Sequence, residues 1–161
     1  MIDKKNFAVQ QEITESVFTK EFLIIRIAKY RIGIQINYLR EAFDIQSHKD
    51  VIGIPFTPSY IRGIIKFRGE VLPVVSLLEI LKTGEREENC LKVAVIEDKM
   101  KLAFLFHEVL DVKLINDTKI EPVKDATKTD LNHFLTGQFE WENKRIFTLD
   151  VYKLLSSEIF K

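Results

Sequence analysis

The sequence predicts a mostly-β protein, built as barrels or a sandwich of antiparallel strands, and three observations carry that prediction. Apolar runs of strand length recur along the chain, the clearest alternating apolar with polar residues so that one face points in and the other out. Turn signals separate these runs at short intervals, and only brief segments show a helical stripe. With 161 residues, 46% of them hydrophobic and 30% charged, the chain is long enough to bury a core without staples.

Residues 1–17 mix charges and amides without a sustained period, so they are expected to form a flexible arm ahead of a folded unit spanning 18–161. FLIIRIA (22–28) opens that unit, followed by YRIGIQI (30–36), where Tyr30, Ile32, Ile34 and Ile36 alternate with Arg31, Gly33 and Gln35. NYLREAF (37–43) fits a turn of helix or a strand that bends. In VIGIPFTPSY (51–60) two prolines remove backbone donors, which predicts a structured connector.

IRGIIKF and VLPVVSL form a predicted hairpin across Arg68 and Gly69, with Gly69 supplying the positive φ of a tight turn. Pro73 marks an edge or a bulge in its second strand. LLEILKTGERE reads as a short helix stopped near Gly84, and residues 83–90 are expected to divide the strands into two similar sets. CLKVAVIED (90–98), MKLAFLFHEVLDVKLI (100–115) and FLTGQFEWENKRIFTLD (134–150) supply the second set, with a hairpin turn at Glu142-Asn143-Lys144. Val151, Leu154, Leu155 and Ile159 make one stripe of a C-terminal helix.

Composition excludes several functions. Lys plus Arg (24) equals Asp plus Glu (24), so no net field favours nucleic acid or an anionic membrane, and nucleic-acid binding would need a local patch. One cysteine allows no intramolecular disulfide, and three scattered histidines leave few metal ligands; no metal and no cofactor are expected. The N-terminus lacks the apolar core of a secretory signal, and no apolar run is long enough for a membrane helix, which together predict a cytoplasmic protein without direct membrane insertion.

No catalytic residue is expected either. Ser76 lacks a glycine-flanked elbow and reads as a packing or capping serine. Cys90 opens an apolar strand, where a buried, inert thiol is the common outcome. His107 and Asp111 lie on strand-like sequence, too far apart for a metal pair. Glu87-Glu88 and Glu97-Asp98 fall at turns, where charge ordinarily keeps a loop solvated. No glycine-rich phosphate loop is present. One nucleic-acid reading has a motif behind it: Lys66-Phe67-Arg68 interleaves an aromatic with two cations on a hairpin, as in single-strand-binding barrels, although Glu70 follows at once.

The run IPFTPSYIRGIIKFRGEVLPVVSLLEIL, Ile54 to Leu81, resembles the signature segment of CheW-like domains in its Ile-Pro, second proline, Gly-apolar strand, Arg-Gly and Pro-Val-Val-x-Leu. FLIIRIAKYRIGIQINYLREAF resembles that family's opening strands, FLFHEVLDV the strands that begin its second half, and RIFTLDVYKLL its closing strand and helix. The likeness covers about Phe18 to Ser157. It implies two packed five-stranded, SH3-like β-barrel subdomains with short helices, and a non-enzymatic adaptor that couples chemoreceptors to the sensor histidine kinase of chemotaxis. The implied partners are the chemoreceptor cytoplasmic signalling tip, docked in a groove between the subdomains, and the regulatory domain of the histidine kinase CheA, met end to end. The implied protein is a monomer by itself, able to join rings with the kinase or its own copies, and recruited to membrane-associated receptor arrays.

Carried onto matching positions, the resemblance assigns Arg68 and Gly69 to the Arg-Gly turn, Gly63 to the glycine opening that strand, and Leu39 and Glu41 to an apolar and acidic pair near the receptor contact. Phe67 joins them as a candidate apolar contact. The chain departs from the family pattern at Ser76, where Asp is usual, at His107, also an Asp position, and at Lys66-Phe67, where Asn-Leu is common. Arg68 itself has two readings: a surface ion pair with Glu70 or a neighbouring carboxylate, or an anchor held out for a partner on a rigid hairpin. The family likeness favours the second.

Overall fold

The computed structural model describes residues 18–124 and 133–160, so the expected arm at 1–17 lies outside the described residues. Ten strands follow in order: β1 (Thr19–Ile27), β2 (Tyr30–Gln35), β3 (Leu39–Asp44), β4 (Ile61–Phe67), β5 (Glu70–Val75), β6 (Lys92–Glu97), β7 (Lys101–Phe106), β8 (Glu108–Asn116), β9 (Leu135–Trp141) and β10 (Lys144–Leu149). Two short helices each follow a hairpin: α1 (Leu77–Ile80) after β5 and α2 (Val151–Leu155) after β10. Ser76 and Asp150 cap them, each side chain accepting a hydrogen bond from the backbone three residues on.

The strands form two five-stranded sheets, ordered β8-β1-β2-β10-β9 and β3-β6-β7-β5-β4. The expectation of two β subdomains holds, with three corrections. Neither sheet is purely antiparallel, because β2–β10 and β5–β7 pair parallel. Neither closes by a hydrogen-bonded ladder; β3 and β4 end the second sheet and do not pair with each other. Residues 83–90 do not separate the sheets, since the strands before and after them, β5 and β6, both belong to the second. The chain crosses between sheets at Ile36–Tyr38, a turn of 3-10 helix, and again at His107.

That second crossing breaks what the sequence offers as one run, 100–115. The His107 N–H donates to the Arg26 carbonyl (2.9 Å), and His107 Nδ1 accepts from the Ala28 N–H (2.9 Å), which ties the junction to the β1–β2 turn of the other sheet. Three smaller expectations are also revised. Pro73 lies within an interior strand opposite Ile64, one residue before pairing with β7 begins at Val74, and the register shift is in β4 between Ile61 and Gly63, opposite Val74 and Val75. The helix after Ser76 stops at Leu81, because Lys82 takes positive φ (54°) before Gly84 is reached. The C-terminal stripe is helical only through Leu155; Ile159 belongs to a separate 3-10 turn.

Alternation decides the cores. Leu23, Ile25 and Ile27 of β1 and Ile32 and Ile34 of β2 face a cluster shared with α1, α2, β6 and β7 of the other sheet. The opposite faces carry separate cores: Ile65, Phe67, Leu72, Val93 and Val95 in the second sheet, and Phe22, Ile24, Phe139 and Ile146 in the first. Burial of this apolar area supplies the main driving force for folding.

The two sheets are copies of one unit. In each, an edge strand with one bulge (β3 at Leu39/Glu41; β8 opposite Ile24/Ile25) leads to a capped 3-10 turn, then an isolated bridge, a hairpin and a capped helix. The bridges are Ile52–Ile64 and Glu121–Gln138, each made by two backbone hydrogen bonds of 2.8–2.9 Å. Gly63 and Gly137 stand beside them, and at each an added Cβ would overlap the backbone oxygen of Ile52 or Glu121. Tyr60 and Phe134 accept matching bonds at 2.7 Å from the N–H of Ser76 and Asp150. The repeat is permuted: β6 and β7 complete the second unit after its helix, whereas β1 and β2 complete the first from the N-terminal end.

Candidate functional site

The predicted site residues gather at one end of the second sheet. Phe67 and Glu70 close the β4–β5 hairpin around a two-residue turn in which both Arg68 (φ 47°) and Gly69 (φ 80°) are left-handed. That is the primed geometry whose twist matches paired strands. Across the sheet's open seam, the bulge between Leu39 and Glu41 breaks the alternation of β3: Glu41 and Phe43 lie on the side of the second sheet's own core, and Leu39 packs on the other side against the shared core.

Side chains join the two edges where the backbone does not. Arg68 Nε donates to Glu41 Oε2 (2.9 Å) and its terminal nitrogen to Oε1 (3.2 Å), a two-pronged contact. Beneath it Phe67 stacks on Phe43, with ring centroids 5.5 Å apart and planes within 14°, and the guanidinium lies 5.6 Å from the Phe67 ring centre. The hydrogen bonds from Arg68 hold the Glu41 carboxyl below the ordinary glutamate range. Glu70 turns away to Lys101 (2.9 Å), which also lies 4.0 Å from Glu97, and Glu97 meets Arg40 at 3.6 Å. The end of the sheet is thus a surface of balanced, mutually paired charges.

Arg68, Gly69, Glu41 and Phe67 are therefore brought together, with Leu39 at the same end, half-buried against the shared core. Two expectations change. Phe67 is 8% exposed and belongs to the second sheet's own core, so it supports Arg68 and offers no apolar patch. Gly63 is buried inside β4, and the backbone that approaches it closely is this chain's own Ile52. Arg68 pairs with Glu41, not Glu70. Sequence reasoning missed Phe43, Arg40 and Lys101; the two-residue spacing of Glu41 and Phe43 was the available signal for the first.

A second polar cluster lies at Glu87, whose carboxylate is fully buried, contrary to the expectation of a solvated turn. Ser76 Oγ donates to its Oε2 (2.9 Å), Arg62 Nε approaches its Oε1 (3.4 Å), and an Arg62 terminal nitrogen donates to its carbonyl (3.1 Å). Loop 83–90 delivers this carboxylate beneath the Ser76 cap. Nearby, burial pushes the Cys90 thiol up to about 12, so it stays protonated. His107 Nε2 lies 2.7 Å from the Glu88 carbonyl, which places the ring proton on that nitrogen while Nδ1 accepts from Ala28. Ser76 and His107 are therefore engaged in structural bonds, and no group of three or more metal-ligating side chains occurs among the described residues.

The nucleic-acid reading finds no support in this geometry: the Phe67 ring is buried and the Arg68 fork is taken by Glu41. The CheW-like domain family matches residues 21–158. The chain belongs to that family. The chemotaxis protein CheW of Klebsiella aerogenes is 27% identical over 141 residues, covering 86% of this chain and 83% of that protein. CheW of Thermotoga maritima is 24% identical over 131 residues, 77% and 85% of the two chains. The crystal structure of the scaffolding protein TtCheW from Thermoanaerobacter tengcongensis superposes with a TM-score of 0.72 at 26% identity, covering 86% of this chain and 94% of that one. Protein FrzA of Myxococcus xanthus is 36% identical over a shorter stretch of 66 residues, 41% and 39% of the two chains. Within the family, this CheW-like protein has the function of a chemotaxis coupling adaptor. No helix among its described residues is long and apolar enough to cross a membrane.

Proposed function

We propose that this CheW-like protein is a non-enzymatic adaptor that holds a chemoreceptor signalling tip and the regulatory domain of the histidine kinase CheA in one cytoplasmic assembly recruited to receptor arrays. The observation that carries the reading is the clasped end of the second sheet. A turn rigid at two left-handed residues holds the Arg68 guanidinium, its side chain 72% exposed, over a fixed carboxylate. Such a pre-oriented fork suits protein recognition, because little rotamer freedom remains to be lost on binding. Leu39 lies half-buried with Ile36 and Tyr38 where the chain crosses between sheets, and these residues supply an apolar seam for the stripe of a receptor helix. Glu41 and Arg68 add a charged patch on the other side of β3, while Gly63, Phe67 and Gly69 fix the hairpin that carries Arg68.

The test is an amide chemical-shift titration of isotope-labelled protein with a soluble receptor-tip fragment, and separately with the kinase regulatory domain. Shifts centred on Leu39, Glu41 and Arg68, and at least about tenfold weaker binding for a folded Arg68→Ala variant, are expected. Shifts confined to other surfaces, or binding indifferent to Arg68→Ala, would remove the clasp from the site.

A further inference from the structure

Because the fold contains two copies of one unit, each sheet is a control for the charges on the other. At the end of the second sheet Lys101 stands between two carboxylates, Glu70 and Glu97. By strand register, the matching positions of the first sheet are Arg31, Lys144 and Arg26. An acid-base-acid row has become three bases.

Arg26 and Arg31 are direct cross-strand partners in β1–β2, where like charges oppose each other and weaken the pair. Glu108 relieves Arg26 from one side, at 3.2 Å. Arg31 and Lys144 have no hydrogen bond or ion pair among the described residues. Lys29 and Arg145 complete the group, Arg145 lying 4.5 Å from the Phe147 ring centre, and all five cations line one open hollow of about 530 Å³. The chain as a whole is neutral, with 24 basic and 24 acidic residues. Five cations gather here against two paired carboxylates, Glu108 and Glu85, which leaves Arg31 and Lys144 without an internal partner among the described residues, and the second sheet shows that the fold does not require this excess.

We propose that this hollow is a second interaction surface, which docks an acidic segment of a protein partner through carboxylates placed against Arg26, Arg31 and Lys144. Two of the three are arginines, whose planar forks take a carboxylate with two parallel bonds. The positive surface is also short. Glu85, 3.6 Å from Lys29, and Glu108 border it, and Asp111 and Glu142 occupy neighbouring strand and turn positions of the same sheet. Those carboxylates would repel a nucleic-acid backbone or a membrane plane extending past the hollow, whereas two or three side chains from a protein loop or helix fit within it. The surface is separate from Arg68, so it stands or falls independently of the receptor contact.

The probe is an octaglutamate peptide titrated into the isotope-labelled full chain at low salt, with octaglutamine, tripolyphosphate and an oligothymidylate as parallel arms. The wild-type protein is expected to show saturable shifts centred on Arg26, Arg31 and Lys144 with octaglutamate and none with octaglutamine. Lys144→Glu is expected to weaken that binding about tenfold. The same variant should melt at or above the wild-type temperature, since its new carboxylate meets Arg31 as Glu70 meets Lys101. Absence of saturable binding, undiminished binding by Lys144→Glu, or tighter binding of tripolyphosphate or the oligonucleotide than of the peptide each overturns the proposal.

Discussion

At the β4–β5 turn of the second sheet Arg68 reaches across to Glu41; at the matching β9–β10 turn of the first, Glu142 and Asp111 occupy the two positions and no such pair can form. Both turns are left-handed at both central residues, 47° and 80° in one and 52° and 60° in the other. Both neighbouring edge strands carry a bulge at the matching place. Where Phe43 stacks on Phe67, Lys113 lies 5.7 Å from the Trp141 ring centre and 3.7 Å from Asp111. The backbone devices thus belong to the fold, because both copies have them. The Arg68–Glu41 clasp does not, because one copy folds without it, and this is the physical reason for assigning it to recognition.

The largest expected effect tests the shared part. Gly63 combines positive φ (150°) with the overlap of a Cβ on Ile52, while no strained φ accompanies the Gly137 overlap with Glu121. Gly63→Ala should therefore destabilise the protein by about 3 kcal/mol and Gly137→Ala by roughly 2, through the loss of two-bond bridges and backbone strain. Urea denaturation of each variant measures both. Equal costs would show that the overlap alone decides, and a negligible cost at either glycine would break the equivalence of the two units.

A smaller effect separates the two helix caps. Asp150 caps α2 by itself, so Asp150→Ala should cost about 1 kcal/mol. Ser76 both caps α1 and binds the buried Glu87 carboxylate, and an amide there keeps only one acceptor oxygen where Ser76 and Arg62 now use two. Glu87→Gln should cost about 2 kcal/mol, discounted because Arg62 is itself partly solvated. If thermal melts place it level with an exposed Glu88→Gln control, the buried network contributes nothing.

Strands were legible in the sequence wherever burial on one face imposed period two, as at Ile32 and Ile34. The cap at Ser76, the inert setting of Cys90 and the left-handed Gly69 of the tight turn were legible from local sequence, whereas the left-handed Arg68 was not. Pairing between distant segments was not. The parallel β2–β10 contact joins residues more than a hundred positions apart, and the permuted repeat hides its second copy by borrowing β1 and β2 from the other end of the chain. His107 looked like strand because its neighbours are apolar, and only its bonds to Arg26 and Ala28 show that the run breaks there. Glu87 looked solvated because a turn carrying two glutamates gives no sign which one folds inward. Glu41 was found through family likeness, and its partner could be identified only once the seam between β3 and β4 was visible.

The smallest effect concerns the clasp itself. Because hydrogen bonds from Arg68 lower the Glu41 pKa in the folded state, the pair's contribution is present above the ordinary glutamate value and disappears as pH falls through the depressed one. The pair is exposed to solvent, so its share of total stability is slight and the proton is the better reporter. The Glu41 side-chain carboxyl ¹³C shift, followed from neutral to acid pH, should titrate below the usual range in the wild type and return toward it in Arg68→Ala. A parallel Glu142→Arg change in the first sheet places a guanidinium at the turn opposite Asp111, and a crystal structure of that variant should show the two paired if geometry alone makes the clasp. A Glu41 midpoint that does not move in Arg68→Ala would mean that the fork is free in solution, available to a partner but not held in place for one. A guanidinium left unpaired in the Glu142→Arg variant would show that the second sheet's stacked Phe43 and Phe67, which the first sheet lacks, are what position the arginine.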